Sequence, residues 1–214
     1  MSNFTHLHVH TEYSILDGLA KIPQLIAKAY NDGQRAIAIT DHGNMYGVFE
    51  FVKEVEKFNK SSLAIPAEPM KAIVGCEVYV APLGAQNKSS KDNRSGRHLI
   101  LLAKNIQGYR NLSTLVSTGF QAENFYYTPR VDMDILRKYS EGLIACSACL
   151  GGALPQSIMR YNTVGKDGRF SEPFDLQDAE EVIKEYLDIF GDDYYLEMQN
   201  HGHPEQIMVN KAII

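Results

Sequence analysis

The sequence predicts an α/β fold of the barrel type, and three observations support that prediction. Segments with strand and helix patterns alternate along the chain. Almost every predicted strand has histidine, aspartate, glutamate or cysteine at its downstream end, as in β/α barrels, where the loops at the carboxyl ends of parallel strands build the active site. The 214 residues, 44% of them hydrophobic, are enough for one sizeable core and argue against two full domains.

The first predicted strand, 4–10, places three histidines on one face. Successive side chains of an extended chain alternate between faces, so the apolar residues point one way and the imidazoles the other. Each imidazole carries a donor and an acceptor that need partners once the ring is buried. The pattern, which runs into a loop with a carboxylate, predicts metal ligation by His8 and His10, whereas His6 is better explained as a hydrogen-bonded wall residue.

The other strands and helices follow from hydrophobic spacing. Short continuous apolar runs are typical of strands covered on both faces, and they predict strands at 36–39, 71–80, 99–103, 142–147 and 194–198. Apolar residues at helical spacing predict helices at 21–31, 48–58, 109–116, 132–139 and 175–190, one after Gly152 and one that starts near Pro204. The segment 82–96 is expected to be a mobile loop, and 120–130 an aromatic loop.

The end of the chain limits the predicted barrel. Six strands are few for closure, and residues 211–214 have the pattern of a helix interior without a capping residue. The sequence therefore predicts a single domain over 1–214 that is cut before the last strand of its barrel. An unpaired strand edge would then lie beside the first and sixth strands, and such edges invite pairing with a second copy of the chain.

Composition and charge exclude several classes of protein. The net charge is −5 without a long basic run, so the surface expected of a protein that itself grips duplex DNA is missing, and any polyanion would be held by metals or by a partner region. Three cysteines, an odd number, do not suggest a disulfide framework and fit a reducing cytosol. Without a leader pattern or an apolar run of membrane-spanning length, the sequence predicts a cytoplasmic protein that contacts no membrane.

Polar residues near strand ends form the predicted site. The candidates are His8, His10, Asp17, Asp41, His42, Glu77, His98, Cys149, His201 and His203. A mixture of imidazole, carboxylate and thiolate suits zinc, manganese or iron better than calcium or magnesium, which prefer oxygen ligands. Because a carboxylate such as Glu77 can bridge two metals, and paired metals activate water against a phosphoester, this mixture is typical of a metal-dependent phosphoesterase.

Several candidates have alternatives to metal ligation. Asp41 is expected to orient His42 or to cap the next turn. His201 is expected to bind or orient a site residue, whereas His203, which precedes a proline, is better explained as a turn residue. Arg130 and the tyrosines of the aromatic loop are candidates for gripping a nucleotide, but an aromatic loop that plugs the barrel explains them equally well.

The cysteines divide into core residues and one candidate ligand. Cys146 and Cys149 have the spacing of half a zinc ribbon or of a redox pair, but the sequence has no second pair. Cys76 and Cys146 lie in buried strands and are expected to behave as small hydrophobic residues.

Five motifs, in this order, resemble the PHP (polymerase and histidinol phosphatase) domain family, as found at the start of the bacterial replicative DNA polymerase III alpha subunit. The motifs are HLHVHTEYSILDG (6–18), ITDHGNMYG (39–47), VGCEVY (74–79), HLILLAKN (98–105) and QNHGHPEQ (199–206). The likeness covers nearly the whole chain.

The resemblance implies a distorted (β/α)7 barrel with up to three zinc or manganese ions. It implies one metal at His8 and His10, a second at His98 and Cys149, the carboxylate of Glu77 as a bridge, and a third metal at Asp17 and His42. Cys149 stands where many stand-alone members have histidine, a change that keeps a soft ligand but adds charge. Family members complete the site with an Asp-x-His motif on the seventh strand, which this sequence lacks, so fewer metals are expected here.

The resemblance also implies three hypotheses for function. In the first, the chain is the PHP domain of a replicative DNA polymerase that works on DNA with the rest of its holoenzyme, and the domain has 3′–5′ exonuclease proofreading activity. In the second, the metals only brace a structural module that supports the polymerase core. In the third, the chain is a free-standing phosphatase that acts on a small phosphomonoester such as histidinol phosphate.

Overall fold

The computed structural model describes residues 4–15, 17–65, 67–91, 93–165, 167–170 and 173–214. These ranges form a mixed α/β fold. The strands are β1 (Ala36–Ile39), β2 (Lys71–Val80), β3 (Arg97–Ala103), β4 (Arg130–Val131), β5 (Leu143–Cys146) and β6 (Tyr194–Tyr195). The helices are α1 (Ile22–Asn31), α2 (Val48–Asn59), α3 (Ile106–Gly119), α4 (Met133–Lys138), α5 (Ala153–Tyr161), α6 (Gln177–Phe190) and α7 (Pro204–Ile213). Among the described helices, none is both long and apolar enough to cross a membrane.

One sheet connects all six of these strands, in the order β1-β2-β3-β5-β6 with β4 also paired to β2. β2 is parallel to β1 along its first half and to β4 at its last two residues, so both pair with the same long strand. β3 is antiparallel to both β2 and β5. Since β6 is parallel to β5, β3 alone among the described strands runs in the reverse direction.

The reversed strand corrects the expectation of parallel strands throughout. His98 opens β3 instead of following it, and Tyr79 near the end of β2 is its register partner. Because β3 is antiparallel, its first residues lie at the same edge of the sheet as the carboxyl ends of its neighbours. The reversal therefore brings His98 to the edge at which the other predicted ligands lie.

The two outermost predicted strands are also corrected. Residues 4–10 are not a regular strand: backbone bonds join them to β1 at two places, and the Val9 amide donates to the Thr40 hydroxyl instead of to a backbone carbonyl. The sixth strand ends at Tyr195 rather than at residue 198, because the Glu197 amide donates to the side chain of Ser147. The short strand β4, by contrast, lies partly in the predicted aromatic loop.

Apolar residues on both faces of the sheet form the core that holds the site. One cluster packs α3, α4 and α6 against β2, β3 and β5, and a second packs α1 and α2 against β1. Asn105 and Asp132 cap α3 and α4 with side-chain hydrogen bonds, which fixes where these helices begin. Cys76 and Cys146 are buried in strands, as predicted.

Candidate metal centre

A buried carboxylate lies at the centre of the candidate site. Glu77, on β2, is only 1% exposed, and each of its carboxylate oxygens faces imidazoles from different parts of the chain. Its Oε2 atom lies 3.0 Å from His8 Nε2, and its Oε1 atom lies 3.0 Å from His98 Nδ1. A carboxylate buried in this way needs hydrogen bonds or cations at both oxygens, and among the described residues imidazole nitrogens lie against each of them.

The first donor group consists of His8, His10 and Glu77. The Nε2 atoms of His8 and His10 lie 3.0 Å apart, and His10 Nε2 lies 3.8 Å from Glu77 Oε2. Nitrogen ligands about 2.0–2.1 Å from a zinc ion at tetrahedral angles would be roughly 3.3 Å from each other. The three donor atoms therefore have a spacing that one cation could share.

Neighbouring side chains fix the orientation of both histidines. His8 Nδ1 lies 2.7 Å from Glu197 Oε1, which leaves Nε2 directed at the carboxylate of Glu77. His10 Nδ1 lies 3.2 Å from the hydroxyl of Ser14, and that hydroxyl donates to Asp41 at 2.7 Å. A histidine that ligates a metal usually donates its second N–H to a carboxylate or hydroxyl in this way, which sets the tautomer of the ring.

The second donor group consists of Glu77, His98 and Cys149. Cys149 Sγ lies 3.5 Å from His98 Nδ1, and the Gly151 amide donates to the same sulfur at 3.4 Å. Burial raises the pKa of the Cys149 thiol, but the contacts with His98 and the Gly151 amide outweigh burial and hold the pKa below its ordinary value. The thiolate form that binds metals is thereby favoured.

His42 and Asp17 lie beside these two groups. His42 Nδ1 is 2.6 Å from Glu77 Oε1, and its Nε2 is 2.8 Å from Asp17 Oδ2, while its ring stacks on that of His10 at 4.0 Å between centroids. Among the described residues, no third donor of the same kind joins this pair to make a three-ligand group. The predicted third metal would thus have only two protein ligands here.

Acidic groups of the site favour positive charge on two of its histidines. Burial lowers the pKa of His8, but hydrogen bonds with Glu197 and Glu77 outweigh burial and raise it to about 9. In the same way, contacts with Cys149 and Glu77 overcome burial and raise the pKa of His98 to about 10. Burial would raise the pKa of Glu77, yet the surrounding imidazoles hold it far below its usual range.

His10 differs from its neighbours. Burial, together with the nearby imidazole of His42, lowers the pKa of His10 to about 4. At neutral pH its ring is therefore uncharged, which is the form that binds a cation, whereas cations bound by His8 and His98 would have to displace a proton from each. The hydrogen bond with Glu77, by contrast, raises the pKa of His42 against the opposing effect of burial.

The remaining candidates lie outside the two donor groups. Asp41 is buried and accepts hydrogen bonds from the amide and hydroxyl of Thr11, so it braces the loop that carries Ser14. His201 is exposed, and its Nε2 lies 3.1 Å from Gln199. His6 and His203 are also exposed.

Arg130 cannot contact a substrate, because its side chain is fully buried. Its guanidinium donates to the backbone carbonyls of Ala85, Asn87, Asn93 and Asn124. Arg130 therefore joins the loop 82–96 to the aromatic loop 120–130, instead of gripping a nucleotide. The loop predicted to be mobile has a buried anchor in this structure.

Sequence reasoning missed Glu197 and Ser14. Glu197 is the single acidic residue in the predicted strand 194–198, and Glu77 interrupts an apolar run in the same way, so an isolated acid in a strand was a usable signal. Ser14 gave no such signal, because its contacts with His10 and His42 depend on how the loop 11–20 folds.

A family model and several named proteins match the sequence of this chain. A family model described as the PHP domain matches residues 6–201. Proteins named DNA polymerase III subunit alpha from Borreliella burgdorferi, Aquifex aeolicus and Treponema pallidum are 43%, 40% and 42% identical over 99–100% of this chain. The chain spans only 16–17% of the length of these relatives.

A solved structure has a related fold. It is a proposed metal-dependent phosphoesterase from Bifidobacterium adolescentis, with a TM-score of 0.54 and 11% identity over 99% of this chain and 84% of the other. At this identity the likeness concerns the fold alone. The match of the family model over most of the chain is the stronger finding, and it confirms the resemblance seen in the five motifs: this chain belongs to the PHP domain family.

Proposed function

We propose that the chain is a metal-dependent phosphoesterase domain that holds two cations around Glu77. The observation that carries this proposal is that one carboxylate, 1% exposed, belongs to two donor groups at once. Imidazole, carboxylate and thiolate donors fit zinc or manganese. Such ions, when bound, polarise a phosphoryl oxygen and lower the pKa of water.

The residues of this chain then have distinct tasks. His8 and His10 would hold one cation, His98 and Cys149 would hold the other, and Glu77 would contribute to both sites. Glu197 keeps the Nε2 atom of His8 directed into the pocket, and Asp41 does the same for His10 through Ser14. Asp17 and His42 are proposed for a third, weaker site.

We further infer that the chain, 1–214, is one PHP domain of a DNA polymerase III alpha subunit and that its fold is a distorted (β/α)7 barrel. Relatives at 40–43% identity support the first inference. The whole protein would be a cytoplasmic DNA-directed DNA polymerase that serves DNA replication. In it the domain would contact DNA and the rest of the holoenzyme and would remove nucleotides from the 3′ end of DNA. A dimer through the sheet edge remains a prediction.

One experiment separates the three hypotheses for function. The chain is loaded with zinc or manganese and incubated with 5′-labelled primed DNA and, separately, with an aryl phosphate; melting is recorded with and without a chelator. Shortening of the primer from its 3′ end supports the exonuclease. A large fall in melting temperature on chelation, without cleavage of either substrate, supports the structural module instead. Fast cleavage of the aryl phosphate alone supports the phosphatase.

Removing Glu197 is expected to weaken metal binding without removing a ligand. Glu197→Gln keeps an acceptor for His8 Nδ1 but loses the charge, and Glu197→Ala loses both. Loss of such an orienting partner costs about 10–100-fold in metal affinity, so we expect a value near the lower limit for E197Q and near the upper limit for E197A. Competition with a chromogenic chelator measures the affinity.

The matched control is Glu185→Gln, an exposed glutamate on α6. It is expected to bind metal as the unmodified chain does. Equal affinities for E197A and E185Q would show that Glu197 has no part in the metal site.

A further inference from the structure

Two loops lie directly beside the candidate metal centre. The loop 81–96 leaves β2 after Val80 and returns at the start of β3, where Tyr79 and His98 are register partners. Arg94 precedes His98 by four residues, so their Cα atoms are at most about 14 Å apart. The ring of Tyr79 lies 5.2 Å from that of His98 and 6.3 Å from that of His42. Both loop ends are therefore close to the proposed ligands.

Tyr127, in the neighbouring loop, has an unusual combination of properties. It is 62% exposed, and its backbone has a positive φ of 63°, a region that bulky side chains rarely adopt. The guanidinium carbon of Arg94 lies 3.7 Å from the centre of its ring. A strained backbone that presents an aromatic ring next to a cation is more typical of a binding site than of a structural loop.

The buried guanidinium of Arg130 holds this arrangement in place. It donates to the carbonyl of Asn93, adjacent to Arg94, and to that of Asn124, three residues before Tyr127. The Thr128 hydroxyl also donates to the Ser95 carbonyl across the two loops. The ring and the cation are thus positioned before any ligand binds, which reduces the entropy that binding costs.

Further exposed aromatic rings lie in or near the loop 120–130. Phe125 is 40% exposed and stacks with Phe120, 42% exposed, at 6.2 Å, and Phe120 lies 6.4 Å from Tyr46, 64% exposed. Tyr46 is four residues from His42. The exposed cations Lys88 and Lys91 lie in the same loop as Arg94, as does Asp92, which is outside the described residues.

We propose that Tyr127 and Arg94 form a base-stacking subsite for single-stranded nucleic acid beside the metal centre. Aromatic rings and guanidinium groups stack on bases of any sequence, and nearby cations follow the phosphates. This inference rests on the proposed function, in which the domain acts on DNA, and it names the residues that would hold a single strand beside the metal centre.

The test measures binding of a fluorescent octathymidylate to the chain by anisotropy. Stacking contributes about 1–3 kcal/mol per base, so Tyr127→Ala is expected to weaken binding about 5- to 150-fold, whereas Tyr127→Phe keeps the affinity. Arg94→Ala is expected to weaken it less, and to reduce its salt dependence. The matched controls are Tyr109→Ala and Arg110→Ala, exposed residues of α3, which are expected to change nothing.

Two outcomes would overturn the subsite. One is that Y127A and the unmodified chain bind the oligonucleotide equally well. The other is that the unmodified chain does not bind the oligonucleotide, which is the result expected if the aromatic rings contact a protein instead. Metal content and hydrolysis of a small aryl phosphodiester are measured in parallel. If both are normal in Y127A while oligonucleotide binding falls, the subsite is supported independently of catalysis. Absence of diester hydrolysis in the unmodified chain would count against the proposed function alone.

Discussion

Replacing Glu77 with glutamine is expected to abolish binding of both cations at once. Glu77 is the one residue shared by the two donor groups, and its oxygens face His8 on one side and His98 on the other. Glutamine keeps the shape but loses the charge, and its amide nitrogen is not a ligand. We expect less than one equivalent of zinc or manganese per chain by elemental analysis after dialysis.

The control for this experiment is Glu56→Gln, an exposed glutamate on α2 that pairs with Lys53. It is expected to keep the metal content of the unmodified chain. Substitution of Cys149 by serine provides a further comparison, because it should remove the cation of the second group and leave that of the first. Two retained equivalents in E77Q would refute the bridging role of Glu77.

The second large effect is expected from Arg130→Met, which should destabilise the fold by roughly 4 kcal/mol. The substitution keeps an apolar stem but removes a donor from four carbonyls. The Asn87 carbonyl still accepts from the side-chain amide of Asn93, and each orphaned buried group among the others costs about 1–3 kcal/mol before relaxation. For a chain of this size, such a loss lowers the melting temperature by about 10 °C. Thermal unfolding followed by circular dichroism measures it.

A surface arginine provides the comparison. Arg137, half-exposed on α4, pairs with Asp134 and Asp188, and exposed ion pairs contribute at most about 1 kcal/mol. Arg137→Met is therefore expected to lower the melting temperature by no more than about 4 °C. If R130M and R137M melted alike, the loops would not depend on the buried guanidinium.

The convergence of the candidate ligands could be predicted from the sequence because it follows a simple rule. Polar residues at the ends of buried strands lie at one edge of a sheet, and His42 and Cys149, which follow β1 and β5, obey that rule. Glu77 lies inside β2 and stood out instead as an acid in an apolar run. His98 does not obey the rule, because it opens its strand. Hydrophobic spacing identifies a strand but not its direction, so the reversal of β3 was not predictable from the pattern.

Contacts between distant side chains were the least predictable part. Glu197 meets His8 across 189 positions of sequence, and no periodic pattern encodes that pairing. For Arg130 the sequence left open whether it grips a nucleotide or lies in a loop that plugs the barrel. Arginine is rarely buried without an acid, and here backbone carbonyls take the place of the acid. Which groups act as hydrogen-bond partners of a buried side chain can be recognised only in the folded structure.

The irregular opening segment, 4–10, has a consequence for the speed of metal exchange. It carries two of the proposed ligands yet is attached to β1 by few backbone bonds, so it is among the segments that detach most readily from the native structure. A cation held by His8 and His10 would then dissociate when this segment unfolds locally, without unfolding of the whole domain. Its residence time would therefore follow the opening rate of the N-terminal segment, which amide hydrogen exchange at residues 6–10 reports directly.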